Sequence, residues 1–408
     1  MKNKKFDSIV IPENLSQHVQ KGIQQGERIY MRNKRKRIMV KMTADADVLL
    51  VCVGIFAAQP ALASKLPIIR NIFKLLQDDY SYQGDLASVA YKFEETIPFP
   101  ADNLAYTKKV NGITVSVSEA YCSVEAIYLS LIITSEEDFP ATMTDMDDKP
   151  ILYLKGTADY SFRSSEDAET KGYANGGTGQ IEGTFIDSRT YAGIYRIDIL
   201  DIVSHDDALK ETYRSLDSFD MDYTINQIIG DKAEPEPLDM QGKTEADLEA
   251  MSDEEWRTFM NEITPADRNQ FPNKYENWWF DGPFSFHLHI EVDREGTQVV
   301  TVDEMNDTGA GIYQVVKTKF EITVEKKCSE ERIQSGVVLV VLDADGNLLP
   351  RGSSVYRTYA INGRNVSKIY VYVCDYTEYA EDLSKYQNDA DLKQIVENQA
   401  LYGKEIVF

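Results

Sequence analysis

The chain contains 408 residues, of which 43% are hydrophobic and 27% charged, as is typical of a folded protein large enough for two or three domains. Its four cysteines are too scattered for a zinc finger or a disulfide-dense scaffold, and its four histidines form no HExxH motif. We therefore expect no metal and no cofactor. The net charge of −24 argues against nucleic-acid binding, because an acidic surface repels phosphates.

The charge is distributed unevenly along the chain. Residues 1–47 contain 11 Lys and Arg and 5 Asp and Glu, a balance of +6. Of the 43 basic and 67 acidic residues of the whole chain this leaves 32 and 62, a balance of −30. A short basic segment beside apolar residues is typical of the cytoplasmic flank of a membrane span, because Lys and Arg are retained inside.

The first predicted element is an amphipathic helix within residues 8–31. Pro12 suits the first turn of a helix, and Leu15, Val19, Ile23 and Tyr30 follow one another on a single apolar stripe. Two glycines inside the helix each lower its stability by about 1 kcal/mol. The pattern fits a solvated helix beside a membrane or a helix that folds into the groove of a partner. The glycines favour the second interpretation, since a partner would complete the helix.

A dense basic cluster precedes the longest apolar stretch of the sequence. We predict a helical head over residues 1–37 and a membrane segment over 38–66, with residues 38–63 in contact with the bilayer. The cluster would then set the topology, with the N-terminus in the cytoplasm. Its members are Arg32, Lys34, Arg35, Lys36 and Arg37.

Charged residues inside this stretch leave three interpretations open. Lys41, Asp45 and Asp47 each cost roughly 2.5–3.5 kcal/mol at the centre of a span and less near its end. The stretch is an uncleaved signal anchor, a signal peptide cleaved after Ala63, or a buried helix of a soluble protein. The late start of the apolar core, at Val48, argues against a signal peptide. We favour the anchor.

The remainder of the chain is predicted to be mainly β. Residues 67–87 follow a helical pattern and either lie on the membrane or dock on the next domain, which is the safer interpretation. From residue 88 on, apolar and polar residues alternate in short segments separated by turn signals. This predicts one β-sandwich over residues 88–295, a helical insertion at 231–272, a second β unit at 296–385 and a helical tail at 386–408.

Two polar patterns resemble metal sites without completing them. His287 and His289 point to the same face of a predicted strand, but no third ligand is placed by the sequence. Asp343, Asp345 and Asn347 imitate the start of a calcium loop, but the closing Glu is missing and a hairpin turn explains them better. We predict no metal at either position.

Catalytic chemistry is equally weakly indicated. The glycine-rich segment 172–183 lacks the lysine and the strand-to-helix context of a phosphate loop. No Ser-His-Asp or Cys-His arrangement is legible, so we predict that the protein is not an enzyme. Cys328 and Cys374 lie near the ends of two predicted strands and are a candidate disulfide, to be decided by geometry.

Three stretches in this order resemble a bacterial family. They are "IPENLSQHVQKGIQQG", "AAQPALASKLPIIRNIFKLLQDD" and "NGITVSVSEAYCSVEAIYLSL". Residues 8 to about 135 resemble the family called domain of unknown function 4179, found in membrane proteins of Gram-positive bacteria that are regarded as anti-sigma factors. Residues 296–385 resemble the immunoglobulin-like domain that often follows it, so both β units are expected to be immunoglobulin-like sandwiches.

The resemblance implies a regulatory function. The head would bind an extracytoplasmic-function sigma factor, with Leu15, Val19, Ile23 and Tyr30 as contacts, and withhold it from RNA polymerase. The part of the chain from residue 67 on, which we call the body, would lie outside the cell. It would sense an envelope signal through an unidentified ligand or protein. The alternative is a surface-anchored binding or adhesion module whose head has no regulatory role.

Overall fold

The computed structural model describes residues 71–93, 105–163, 169–174, 178–199, 213, 216–244, 247–248, 250–352, 357–381 and 391–408. The chain divides into two compact units, Met1–Arg70 and Asn71–Phe408. All described residues belong to the second unit. The predicted head, basic cluster and membrane segment therefore lie outside them. Within the described ranges, no helix has the length and apolar character needed to cross a membrane.

Ten strands between residues 91 and 291 form one antiparallel sheet. Their order is β1-β3-β4-β8-β7-β5-β9-β10, with β2 paired to β3 and β6 paired to β5. The strands are β1 (Tyr91–Lys92), β2 (Thr107–Val110), β3 (Ile113–Cys122), β4 (Ala126–Ser135), β5 (Leu152–Arg163), β6 (Glu169–Ala174), β7 (Thr178–Asp187), β8 (Thr190–Asp198), β9 (Ser218–Asp231) and β10 (Asn277–Glu291).

The large sheet folds over its own core. Side chains of β3 and β4, near one end of the strand order, share one hydrophobic cluster with side chains of β9 and β10 at the other end. Across the gap, the Asp293 backbone N–H donates to the Cys122 carbonyl oxygen at 2.7 Å. We predicted a β-sandwich over residues 88–295, and the described strands of this range form one continuous sheet. Alternation of apolar residues shows which side chains are buried but not the path of the sheet.

Seven further strands form two sheets around a second core. One sheet has the order β11-β12-β13-β15 and the other β14-β16-β17, and buried side chains of both belong to one cluster. We call these strands the sandwich. They are β11 (Gln298–Met305), β12 (Gly311–Lys317), β13 (Glu321–Lys326), β14 (Val337–Leu342), β15 (Thr358–Ala360), β16 (Lys368–Asp375) and β17 (Tyr402–Val407).

Most helices are short. Within the predicted insertion, α3 begins after Ser252, whose side chain and Glu255 form a reciprocal capping box. At the end of the chain, the predicted helical tail is only partly present, because α6 is followed by β17, which pairs with β16. The described helices are α1 (Ile72–Leu76), α2 (Leu86–Val89), α3 (Asp253–Ile263), a 3-10 turn (Ala266–Asn269), α4 (Glu330–Ser335), α5 (Tyr376–Glu381) and α6 (Leu392–Gln399).

Candidate functional site

The ten-stranded sheet and the sandwich meet through strands whose two faces are both buried. In β4, Ile127 and Leu129 point into the core of the large sheet, and Tyr128 between them points to the other side. In β13, Ile322 points into the sandwich core, whereas Glu321 faces the large sheet. A strand buried on both faces loses the usual apolar and polar alternation, and β4 is accordingly a nearly continuous apolar run. We call this contact the junction.

An arginine–glutamate pair lies at the centre of the junction. Arg196 of β8 donates from Nε and Nη2 to the two carboxylate oxygens of Glu321, at 3.1 and 3.2 Å. The Tyr128 hydroxyl donates to Glu321 Oε2 at 2.7 Å. The side chains of Arg196 and Glu321 are only 3% and 1% exposed. Burial raises the pKa of Glu321, and the adjacent guanidinium opposes that change.

A second ion pair extends this network. Arg357, just before β15, donates from Nη2 to Asp198 Oδ1 at 3.0 Å, and Arg196 Nη1 lies 3.7 Å from Asp198 Oδ2. Two arginines thus face two carboxylates, and the formal charges of the cluster cancel. A buried charge persists only with such partners, because its hydration has been lost.

The chain segment that follows the apolar stretch is built into the junction. We call residues 71–93 the strap. Its side chains Ile72, Phe73 and Tyr82 are fully buried. The guanidinium carbon of Arg196 lies 5.2 Å from the centre of the Tyr82 ring, so the strap covers the ion pair. Of the two interpretations of residues 67–87, docking on the following domain is therefore observed for residues 71–87.

Hydrogen bonds hold the strap from both sides. On the large sheet, Glu119 accepts from the Phe73 backbone N–H at 3.2 Å and Glu182 accepts from that of Ser81 at 2.9 Å. On the sandwich, the Asn362 side chain accepts from the Gln83 N–H at 2.7 Å and donates to the Ser81 carbonyl at 3.1 Å. The hydroxyls of Tyr82 and Thr358 lie 2.6 Å apart. The strap is thus bonded to both β units.

Small residues make room for the strap. A Cβ atom at Gly352 would overlap the hydroxyl of Tyr82, and one at Gly84 would overlap the ring of Phe320. Glycine at these two positions therefore permits the close approach of the strap to the sandwich.

Several residues predicted from the sequence lie outside the described part of the chain. These are the proposed partner contacts Leu15, Val19, Ile23 and Tyr30, and the basic cluster Arg32, Lys34, Arg35, Lys36 and Arg37. Their roles stay predictions.

The candidate disulfide is not formed. Cys328 packs against the sandwich core, whereas Cys374 belongs to a separate cluster with Leu392 and Val396 of α6, and both carry thiols. A position near the end of a strand does not show into which layer the side chain points, and the two cysteines point into different layers. Cys122 is also a thiol, and burial raises its pKa to about 12, so it is not an activated nucleophile.

The two patterns that resembled metal sites have other partners. His287 and His289 do share a face of β10, and each ring Nδ1 lies near an aspartate of β9, at 2.7 Å from Asp222 and 2.8 Å from Asp220. Among the described residues, no group of three or more His, Cys, Asp or Glu side chains is arranged to hold a metal.

The loop at Asp343 is the predicted turn. Asp343 Oδ1 accepts from the backbone N–H groups of Asp345 and Asn347, at 3.0 and 2.9 Å. Gly346 adopts a φ of +87°, and Leu342 bridges to Leu348. The carboxylate is therefore used by the turn itself, as in other Asx turns.

Sequence reasoning missed the residues of the junction. The signal for Arg196 was its position in "YAGIYRIDIL", a run too apolar for an exposed strand. Glu321 gave no signal, because "KFEITVEK" alternates like an ordinary surface strand. It is buried by the packing of the sandwich against β4 and β8.

The junction includes the part of the chain that matches a known family. Residues 34–135 match the model of a domain of unknown function (DUF4179). This segment is a DUF4179 domain. The DUF4179 segment contains the whole strap together with β3 and β4, and the match confirms the resemblance over residues 34–135.

A solved structure titled "The crystal structure of the conserved domain protein from Bacillus anthracis" aligns with a TM-score of 0.37 and 13% identity, over 82% of this chain and 93% of that chain. No curated protein matches the sequence.

Proposed function

We propose that the protein is a single-pass, membrane-anchored regulator of the anti-sigma type. Residues 1–37 bind an extracytoplasmic-function sigma factor, residues 38–66 cross the membrane, and the body lies outside the cell, where its β units sense an envelope signal. We propose further that the sandwich is immunoglobulin-like. The observation that carries the proposal is the burial of the strap, which begins a few residues after the apolar stretch.

The strap connects the body to the proposed membrane segment through a short length of chain. Fewer than ten residues separate Ala63 from Ile72, the first buried residue of α1. A rearrangement at the junction would therefore be transmitted over a short length of chain. The change from a balance of +6 over residues 1–47 to −30 over the remainder supports a boundary between two compartments in the preceding apolar stretch.

A pull-down tests the regulatory function. Residues 1–37 fused to an affinity tag should recover a sigma factor from the lysate of a cell that expresses one. Leu15→Asp, on the apolar stripe, should abolish recovery, while Gln17→Asp, off the stripe, should not. Failure to recover any sigma factor would refute the regulatory function.

Protease protection tests the topology. In intact cells with an outer surface open to protease, the body should be digested and a tag at the N-terminus protected. A body in the cytosol would refute the topology. If the topology holds but the head binds no sigma factor, and the body binds surface glycans, the adhesion alternative is supported instead.

A further inference from the structure

We propose that the strap is a releasable latch between the two β units: it detaches while both cores stay folded, and its detachment loosens the junction. This inference concerns the body alone and does not depend on what the head binds.

The two cores are nearly complete without the strap. Of the strap residues, only Phe93, the last one, belongs to the hydrophobic cluster of the large sheet, and none belongs to that of the sandwich. Neither includes Ile72, Phe73 or Tyr82, although all three are fully buried. The strap is therefore packed onto the two units, and its loss would leave the sandwich core intact and remove only Phe93 from the core of the large sheet.

The strap has little structure of its own. Its helices α1 and α2 have five and four residues, and its strand β1 pairs with β3 through only Tyr91 and Lys92. Helices this short are not stable in isolation. The strap is therefore ordered by its contacts with the β units and would become unstructured when these contacts are broken.

Polar groups without partners weaken the attachment. The Tyr80 hydroxyl and Glu119 Oε1 are buried and have no hydrogen-bond partner among the described residues. Such groups lose their hydration when the strap docks and regain it when the strap leaves. The cost of this lost hydration offsets part of the stabilisation that the buried apolar side chains of the strap provide. This smaller net stabilisation allows reversible release.

Release of the strap would affect the ion pair beneath it. The Tyr82 ring covers Arg196, and its hydroxyl contacts Thr358 on β15. Without this cover, water would reach Arg196 and Glu321 and weaken their attraction. The remaining direct contacts of the network would then hold the units less tightly.

Hydrogen exchange of the full-length protein, in detergent or nanodiscs and under low denaturant, tests the latch. The Phe73, Ser81 and Gln83 amides should exchange through an opening that leaves β4 and β16 protected. Phe73→Ala should speed strap exchange on the order of 100-fold and leave β16 unchanged. Ile333→Ala, which truncates an exposed side chain, is the matched control and should change neither.

The loosening of the junction has its own readout. In Phe73→Ala, the backbone N–H of Ile361, which donates to Phe320 beside the junction, should exchange at least several-fold faster than in the parent protein. Strap amides that exchange only together with β4, in the parent and in Phe73→Ala, would overturn the latch. Faster strap exchange with an unchanged Ile361 amide would overturn its control of the junction.

Discussion

At the scale of single residues, Arg196 is the side chain whose loss should cost most. Arg196→Met leaves Glu321 buried without its cation, and breaking a buried pair in this way costs about 3–5 kcal/mol. We expect the free energy of unfolding, measured by urea denaturation, to fall by about this amount.

The second partner supplies the control for this substitution. In Arg196→Met/Glu321→Leu neither charge remains, and an apolar pair of similar volume is often as stable as the ion pair. The double variant should therefore recover most of the loss. Additive losses from the two single variants would contradict the pairing seen in the junction.

Glu119 should give the body a pH-dependent stability. Burial raises the pKa of its carboxyl group, so the folded protein holds a proton that the unfolded chain has already lost. Its contribution to stability is therefore present below the ordinary glutamate pKa and is lost as the pH rises through the folded value. Glu119→Gln removes this dependence and keeps an oxygen that can accept from Phe73.

Thermal unfolding from about pH 4 to about pH 8 measures this effect. Glu119→Gln should gain stability relative to the parent protein as the pH rises. Ile333→Ala, which truncates an exposed side chain without an ionisable group, is the control and should show no such trend. A Glu119→Gln difference that stays constant across the range would show that Glu119 does not titrate differently in the folded protein.

At the scale of elements, β17 is the strand that the sequence concealed. Ile406 is 2% exposed and belongs to the sandwich core, while Val407, on the opposite face, is 64% exposed. Ile406→Asp buries an unpaired charge and should unfold the sandwich or lower its melting temperature by 10 °C or more. Val407→Asp should change it little. Equal effects would contradict the strand.

The extent to which these elements are predictable depends on what the local sequence encodes. The alternation of Ile113, Val115 and Val117 predicts β3, and the apolar run of β4 predicts a buried strand. The segment "YGKEIV" of β17 contains one glycine and two charges in six residues and gives no strand pattern. Its pairing with β16 supplies the order that its composition does not.

The candidate site was less predictable than the strands. The position of a residue in a strand shows on which face of the sheet its side chain lies. It does not show which element packs against that face, because that contact joins residues distant in sequence. Arg196 and Glu321 are 125 residues apart, and Tyr82 and Thr358 are 276 apart. Only the burial of α1 could be expected, because Ile72, Phe73 and Leu76 already formed an apolar helical face.

At the scale of the whole molecule, the described part of the body contains two β units that meet at the junction. Coupled units unfold in a single transition when the contact between them is stable, and separately when it is not. Because the junction includes buried ion pairs and is covered by the strap, calorimetry of the full-length protein should show one transition for the body. Its calorimetric and van't Hoff enthalpies should agree.

Gly352→Val should separate the two units. The added side chain overlaps the Tyr82 hydroxyl and so displaces the strap, while no residue of either hydrophobic core is substituted. The single transition should split into two, each with a lower enthalpy than the parent transition. Tyr313→Ala, which truncates a half-exposed side chain of the sandwich, is the control and should still unfold in a single transition. A Gly352→Val protein that melts earlier but still in one step would mean that the junction holds without the strap.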